Sequence, residues 1–193
     1  MNYEELAAGL VKKALKAGAS EAEVYLQTGK SLSLSVRKGD IESLSQSTPQ
    51  QLGLRVITKK KLAFSSTSDF SKDSLDHFVK DTVQLAMLSS EDPFNGLPEV
   101  HGPLPRPSLK IQDDSLGKVP LEKKIELARR AEAASLGYSK QISRNGEGGS
   151  YSEGHGLTVL ANSHGIAGSY ADTYCALSAS PLAEANGKKE IGG

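Results

Sequence analysis

The chain has 193 residues, enough for a hydrophobic core, and its charge is balanced, with 23 basic and 23 acidic side chains. This balance gives no electrostatic indication of direct binding to nucleic acid or to an anionic membrane, and the absence of Trp disfavours a base-stacking surface. A single cysteine, Cys175, excludes an internal disulfide and favours a reducing compartment. The N-terminal residues form no apolar signal core and no run is long enough to span a membrane, so we expect a soluble, cytoplasmic protein.

The first half of the chain predicts two helices and a series of hairpin strands. Residues 3–17 carry apolar side chains at helical spacing and end in lysines that suit the helix dipole, and Gly18 stops the helix. A second apolar stripe predicts a helix over residues 71–88. Apolar residues that alternate with serine predict strands, and the sequence RKGD at residues 37–40 predicts the turn between two of them. The predicted strands are residues 22–27, 31–36, 41–47, 52–57 and 62–67.

The second half begins with a proline-rich stretch near residues 91–119, which we interpret as an extended connecting strap. Pro120 suits the first turn of a third helix that reaches residue 136. Strands are predicted at residues 157–161 and 166–180, with turns at 146–149 and 162–165. The predicted buried face of the third helix consists of Ile125, Leu127, Ala128, Ala131 and Ala134.

These elements predict an α+β fold. We expect a curved, mainly antiparallel sheet of hairpins with about three helices packed against it, the first two of which cover one face of the sheet.

The two polar turns in the last third of the chain are the candidate functional segments. The sequence EGGSY surrounds the first turn and NSHG forms the second. Such turns can be purely structural, or their polar groups can face a peptide or a partner protein, and the residues alone leave both interpretations open. The candidate residues are Glu147, Gly148, Gly149, Ser150, Asn162, Ser163, His164 and Gly165.

The residues show no recognisable catalytic or metal motif. The four histidines, at positions 77, 101, 155 and 164, are scattered, and no HExxH pair is present. Ser150 follows two glycines but lacks the GxSxG pattern of a nucleophile elbow. Cys175 lies in a predicted strand without an electropositive neighbourhood. We therefore predict no catalytic and no metal-binding residue in this chain.

Several short motifs, in this order and spacing, resemble the N-terminal part of the TldD/PmbA proteins, which are also called modulators of DNA gyrase. The later motifs are similar to the PmbA (TldE) branch of the family. The motifs are GASEAEV at 18–24, VRKGDIE at 36–42, GLRV at 53–56, AFSST at 63–67, ARRAEAA at 128–134, EGGSY at 147–151, NSHG at 162–165 and AEANG at 183–187.

The resemblance implies a role in proteolysis at the level of a complex. In this family, TldD and TldE form a heterodimeric zinc metalloprotease that acts on peptides and unfolded segments, and the HExxxH metal motif belongs to TldD. A PmbA-like chain is then the non-catalytic subunit. Its partner is a TldD-like catalytic subunit that holds the zinc, and its further partner is a peptide, with no direct contact to nucleic acid or membrane.

Three further expectations follow. Because the last residues, 188–193, fall where another strand begins, we interpret residues 1–193 as the N-terminal domain of a longer PmbA/TldE-like protein. An alternative function is a regulatory binding module that affects DNA gyrase indirectly, without binding DNA. A free-standing hydrolase built on Ser150 or Cys175 is a third hypothesis.

Overall fold

A computed structural model describes residues 1–99 and 109–192, so His101 and the prolines at 103, 105 and 107 lie outside the described part of the predicted strap. No helix among the described residues is both long and apolar enough to cross a membrane. The elements in chain order are α1 (Tyr3–Lys16), β1 (Glu21–Arg37), β2 (Asp40–Ser47), β3 (Gln50–Thr58), β4 (Lys61–Thr67), α2 (Lys72–Leu88), a 3-10 helix (Leu116–Lys118), α3 (Leu121–Tyr138), β5 (Ile142–Asn162), β6 (Ala167–Ala185) and β7 (Lys188–Ile191).

The described elements confirm the predicted α+β class. Seven strands form one sheet in the order β4-β3-β1-β5-β6-β7, and β2 also pairs with β1. The β1–β2, β1–β3, β3–β4 and β6–β7 pairings are all antiparallel. The structure also contains the three predicted α-helices within one or two residues of their expected bounds.

The chain divides into two compact units, each assembled from three separate stretches of sequence. Unit 1 consists of residues 1–28, 49–109 and 156–171, and unit 2 consists of residues 29–48, 110–155 and 172–193. Strands β1, β5 and β6 each contribute residues to both units.

The core of unit 1 lies under α1 and α2, as the sequence predicts. Leu10 of α1 and Val83 of α2 are buried in the same cluster as Leu54 of β3. Helix α1 is capped by Asn2, whose side-chain oxygen accepts hydrogen bonds from two backbone amides of the first turn. It ends before Gly18, whose φ of 112° is open to glycine and strained for other residues.

The core of unit 2 is smaller and lies between the second half of β1 and helix α3. Leu34 and Val36 of β1 pack with Ala128 of α3 and Tyr151 of β5. The β1–β2 turn at residues 37–40 is confirmed. Lys38 and Gly39 both have positive φ, as a two-residue type I′ turn requires.

Three sequence predictions of local structure are wrong. The strands predicted at 22–27 and 31–36 form one strand, β1, because β1 pairs with β3 as far as Thr28 and with β2 from Ser31 onward. The turn predicted at 146–149 lies inside the long strand β5. The buried face of α3 is also different, since Ala134 is exposed while Lys124 and Glu132 are buried.

Candidate functional site

The NSHG turn, in unit 1, joins β5 to β6, as predicted. The Asn162 side-chain oxygen accepts hydrogen bonds from the amides of His164, at 3.0 Å, and Ile166, at 3.1 Å, which fixes the turn. Ser163 is bound to Ala22 of β1 through both its amide, at 2.9 Å, and its hydroxyl, at 3.1 Å. Asn162 therefore fixes the shape of the turn, and Ser163 holds the hairpin against β1.

The histidine of this turn reaches two neighbouring acceptors within unit 1. His164 Nδ1 lies 3.2 Å from the carbonyl oxygen of Pro98, and Nε2 lies 3.5 Å from a carboxylate oxygen of Glu21. The same Glu21 oxygen accepts a hydrogen bond from the amide of Leu97, at 2.6 Å. These contacts tie the turn to the segment around residues 97–98. Gly165, with a φ of 89°, completes the turn.

The EGGSY segment, in unit 2, is closely packed against its neighbours. A Cβ atom on Gly148 would lie 2.0 Å from the carbonyl oxygen of Val36, and one on Gly149 would lie 2.1 Å from that of Ala128. Both distances are far below van der Waals contact, so only glycine permits this approach of β5 to β1 and α3. The cavity beside Gly148 measures about 10 Å³, the space of one water molecule. Glu147 is exposed, and the structure thus places the segment in a packed strand with one exposed carboxylate side chain.

Tyr151 belongs to a buried polar cluster that the sequence did not reveal. Its hydroxyl donates a hydrogen bond of 2.7 Å to Glu153 Oε2, while Glu153 Oε1 lies 2.5 Å from the Nζ atom of Lys124. Burial, reinforced by the hydrogen bond and the charge of Glu153, raises the pKa of Tyr151, so its hydroxyl stays protonated and donates. Both oxygens of the Glu153 carboxylate are thereby engaged.

A second buried carboxylate, that of Glu132 on α3, holds the β1–β2 turn. Glu132 accepts hydrogen bonds from the amide of Lys38, at 2.5 Å, and from the amide of Gly39, at 2.9 Å. Lys124, Ala128 and Glu132 are spaced four residues apart and so share one face of α3. That spacing is the one signal in the sequence that could have identified the two charged residues as buried.

The described residues do not assemble a recognisable nucleophile or metal site. The Ser150 hydroxyl is 2.8 Å from that of Ser178, and Cys175 is exposed. Within the described ranges no three His, Cys, Asp or Glu side chains are grouped as a metal ion would require. His77 is exposed on α2.

Comparison with family models gives two matches in sequence order. Residues 22–86 match the model described as PmbA/TldA metallopeptidase domain 1, and residues 114–193 match the model described as PmbA/TldA metallopeptidase central domain. Together the two models cover most of the chain.

Two curated relatives are named as metalloproteases. The chain is 32% identical over 178 residues to Metalloprotease PmbA of Escherichia coli O157:H7, which covers 91% of this chain and 39% of the relative. It is 32% identical over 173 residues to the Metalloprotease PmbA homolog of Haemophilus influenzae, covering 89% of this chain and 38% of that protein. The chain thus spans about two fifths of the length of these relatives.

Solved structures have the same fold. A protein from Bacteroides thetaiotaomicron that is named as a modulator of DNA gyrase superposes with a TM-score of 0.85 at 24% identity, over 97% of this chain and 43% of that one. TldE from Thermococcus kodakarensis superposes with a TM-score of 0.73 at 16% identity, over 94% and 40%. On the strength of the two domain models and these relatives, the chain belongs to the PmbA/TldD family, and its sequence corresponds to the N-terminal part of a PmbA-like member.

Proposed function

We propose that this chain is part of the non-catalytic subunit of a cytoplasmic TldD/TldE-type zinc metalloprotease complex that degrades peptides or unfolded segments. The ordered match to two metallopeptidase domain models carries the proposal. The names of the two curated relatives support it.

The zinc of such a complex is assigned to the TldD-like partner. The described residues of this chain offer no group of three donor side chains, so they do not fit a zinc site, and no catalytic step is drawn from them. The contribution of this chain is then to bind the partner or to guide the peptide.

Strand β2 is the segment that we assign to peptide binding. It pairs with β1 on one edge, and all eight of its residues are exposed. Ile41 and Leu44 expose nearly half of their surface, which leaves apolar side chains beside the edge of β2 that pairs with no described strand. An extended peptide can add to such an edge through main-chain hydrogen bonds and rest its side chains on the apolar residues.

The test measures zinc content and peptide cleavage for the purified protein alone, for a TldD-type partner alone, and for the mixture. The proposal expects zinc in the partner and cleavage that depends on mixing. A matched control is the mixture made with a partner stripped of zinc by a chelator. Zinc binding and cleavage by this protein alone would contradict the assignment to a non-catalytic subunit.

The role of β2 is tested separately by amide hydrogen exchange. Added peptide substrate should slow exchange at residues 40–47, while the amides of β4, a second edge strand, serve as the internal control. Equal protection of both strands, or of neither, would show that β2 is an ordinary exposed strand.

A second candidate function is an indirect effect on DNA gyrase. Two solved structures of the same fold are named modulators of DNA gyrase. The balanced charge of this chain favours an effect through degradation of a peptide that acts on gyrase. DNA binding by the purified protein that weakens steeply with salt would overturn this view.

A further inference from the structure

Unit 2 contains an open cleft of about 850 Å³, bounded by the start of the β1–β2 pairing, the 3-10 helix and the first turn of α3. This volume lies in the range of pockets that take a ligand the size of a short peptide. Lys124 and Glu153, the buried ion pair described above, form part of its wall, and His155 lies next to them.

The wall of the cleft has an unbalanced positive charge. Lys30 and Lys124 line it together with a single carboxylate, that of Glu153. The side chain of Lys30 is exposed and has no hydrogen-bond or ion-pair partner among the residues that the structure describes. The single negative charge of Glu153 is balanced by Lys124, so the wall holds no second carboxylate to balance the charge of Lys30.

Hydrogen-bonding capacity is also left unused in the wall. The Lys124 ammonium has three N–H donors, and one of them is directed to Glu153. His155 Nε2 is buried and has no hydrogen-bond partner among the described residues. An unpaired polar atom in a buried position is costly, and in native structures it usually has a ligand or a water molecule as its partner.

The rest of the wall includes an apolar surface. Leu32, which is buried, and Leu121, which is half-buried, both line the cleft. A ligand that satisfies the whole site therefore combines an anionic acceptor with an apolar body. One unbalanced positive charge matches a carboxylate, which carries one negative charge, better than a phosphate group, which carries about 1.5 or more at neutral pH.

We propose that the cleft of unit 2 binds a carboxylate that carries an apolar body, in the form of the free C-terminal residue of a short peptide. The carboxylate lies between Lys30, the free donors of Lys124 and His155 Nε2, and the apolar side chain rests on Leu32 and Leu121. The proposal does not rest on the role in proteolysis, because binding to this cleft requires neither cleavage nor a partner subunit.

The experiment is a calorimetric titration of the purified protein with N-acetyl-leucyl-leucine and with its C-terminal amide. The free acid should bind at least about tenfold more tightly than the amide, the ratio for one charge-assisted hydrogen bond. Hexanoate, which has a carboxylate and a smaller body, distinguishes a small acid from a peptide terminus and should bind more weakly than the dipeptide.

Three variants locate the binding. Lys30→Gln and His155→Phe should each lower the affinity for the free-acid dipeptide by roughly fivefold or more, while leaving the affinity for the amide unchanged. His155→Phe keeps a ring beside Gly117, where the space is tight, and Lys30→Gln changes an exposed side chain, so at least one variant retains its fold. Lys12→Gln, at an exposed site on α1 in unit 1, is the control and should bind as the unchanged protein does.

Equal affinity for the acid and the amide, or no binding of either up to about 10 mM, would overturn the proposal. Inorganic phosphate that binds as tightly as the dipeptide would overturn the assignment to a carboxylate. Hexanoate that binds more tightly than the dipeptide would refute the peptide terminus as the ligand.

Discussion

The buried ion pair between Lys124 and Glu153 gives a sharp test of the energetics of unit 2. The side chains are 6% and 8% exposed, and the two charged atoms are 2.5 Å apart. At that separation, with an effective dielectric constant of about 20, the attraction is about 6–7 kcal/mol. Desolvation of the two ions offsets much of this attraction, and removal of one partner leaves the other charge buried and unpaired.

Lys124→Met should therefore lower the free energy of unfolding by about 3–5 kcal/mol. The double variant Lys124→Met, Glu153→Gln should regain about 2 kcal/mol or more of that loss. Glutamine is neutral, so no buried charge is left, and its amide oxygen still accepts the hydrogen bond from Tyr151. The prediction is that a second substitution makes the single variant more stable.

The assay is urea unfolding followed by far-UV circular dichroism, with the slope of the transition as a check that the variants unfold in the same way. Lys123→Met is the matched control because the neighbouring pair Lys123–Glu126 is 52% exposed on both sides, and it should change stability by less than about 0.5 kcal/mol. A double variant that is less stable than Lys124→Met would refute the reasoning.

Three other predictions concern single positions. Gly149→Ala should lower the free energy of unfolding, measured in urea, by about 3 kcal/mol or more, because the new Cβ would clash with the backbone of Ala128. Gly165→Ala, measured in the same way, should lower the free energy of unfolding by only about 1 kcal/mol, since its φ is positive but no atom of the described residues, apart from its chain neighbours, lies within 4 Å of the new methyl group. Equal losses for the two glycines would contradict the packing argument. The hydrogen bond from the Ser74 hydroxyl lowers the pKa of Asp69 more than the hydrogen bond from the Ser71 backbone amide does. The ionised Asp69 side chain therefore contributes stability above its unfolded-state pKa, and this contribution is lost as the pH falls through the folded-state value. Ser74→Ala should raise that pKa in an NMR titration, and an unchanged value would show that the hydroxyl has no such effect.

The hairpin strands and helices of this fold could be predicted because their signals are local. The turn at 37–40 lies between two strands of alternating apolar and polar residues and needs two central residues with positive φ. The sequence RKGD, with its glycine, is typical of such a turn. The continuity of β1 could not be predicted because residues 28–30 carry no apolar side chain. The strand continues there because its neighbour changes from β3 to β2, and such a change depends on the rest of the sheet.

The candidate site was also hard to predict, because its packing contacts join residues that are distant in the sequence. Glycines at 148 and 149 indicate a turn when only neighbours in sequence are considered, but their role is to let β5 approach Val36 and Ala128, which are distant in the chain. The sequence did not identify Lys124 and Glu153 as a buried pair, because the residue type of a charged side chain does not show whether it is paired in the core or solvated at the surface. Whether residues 147–150 of β5 and the turn at 162–165 face a peptide stays a prediction.

The interleaved composition of the two units has a consequence for fragments of this protein. The first family model ends at residue 86 and the second begins at residue 114, so dividing the chain between these residues would separate the two matched regions. The same cut divides both units, because unit 1 also needs residues 156–171 and unit 2 also needs residues 29–48. The N-terminal fragment would lose the buried Val159, and the C-terminal fragment would lose the buried Leu34. We therefore expect neither half to fold when it is expressed alone, and the two halves to restore each other's structure when they are produced together, as the parts of a split reporter do.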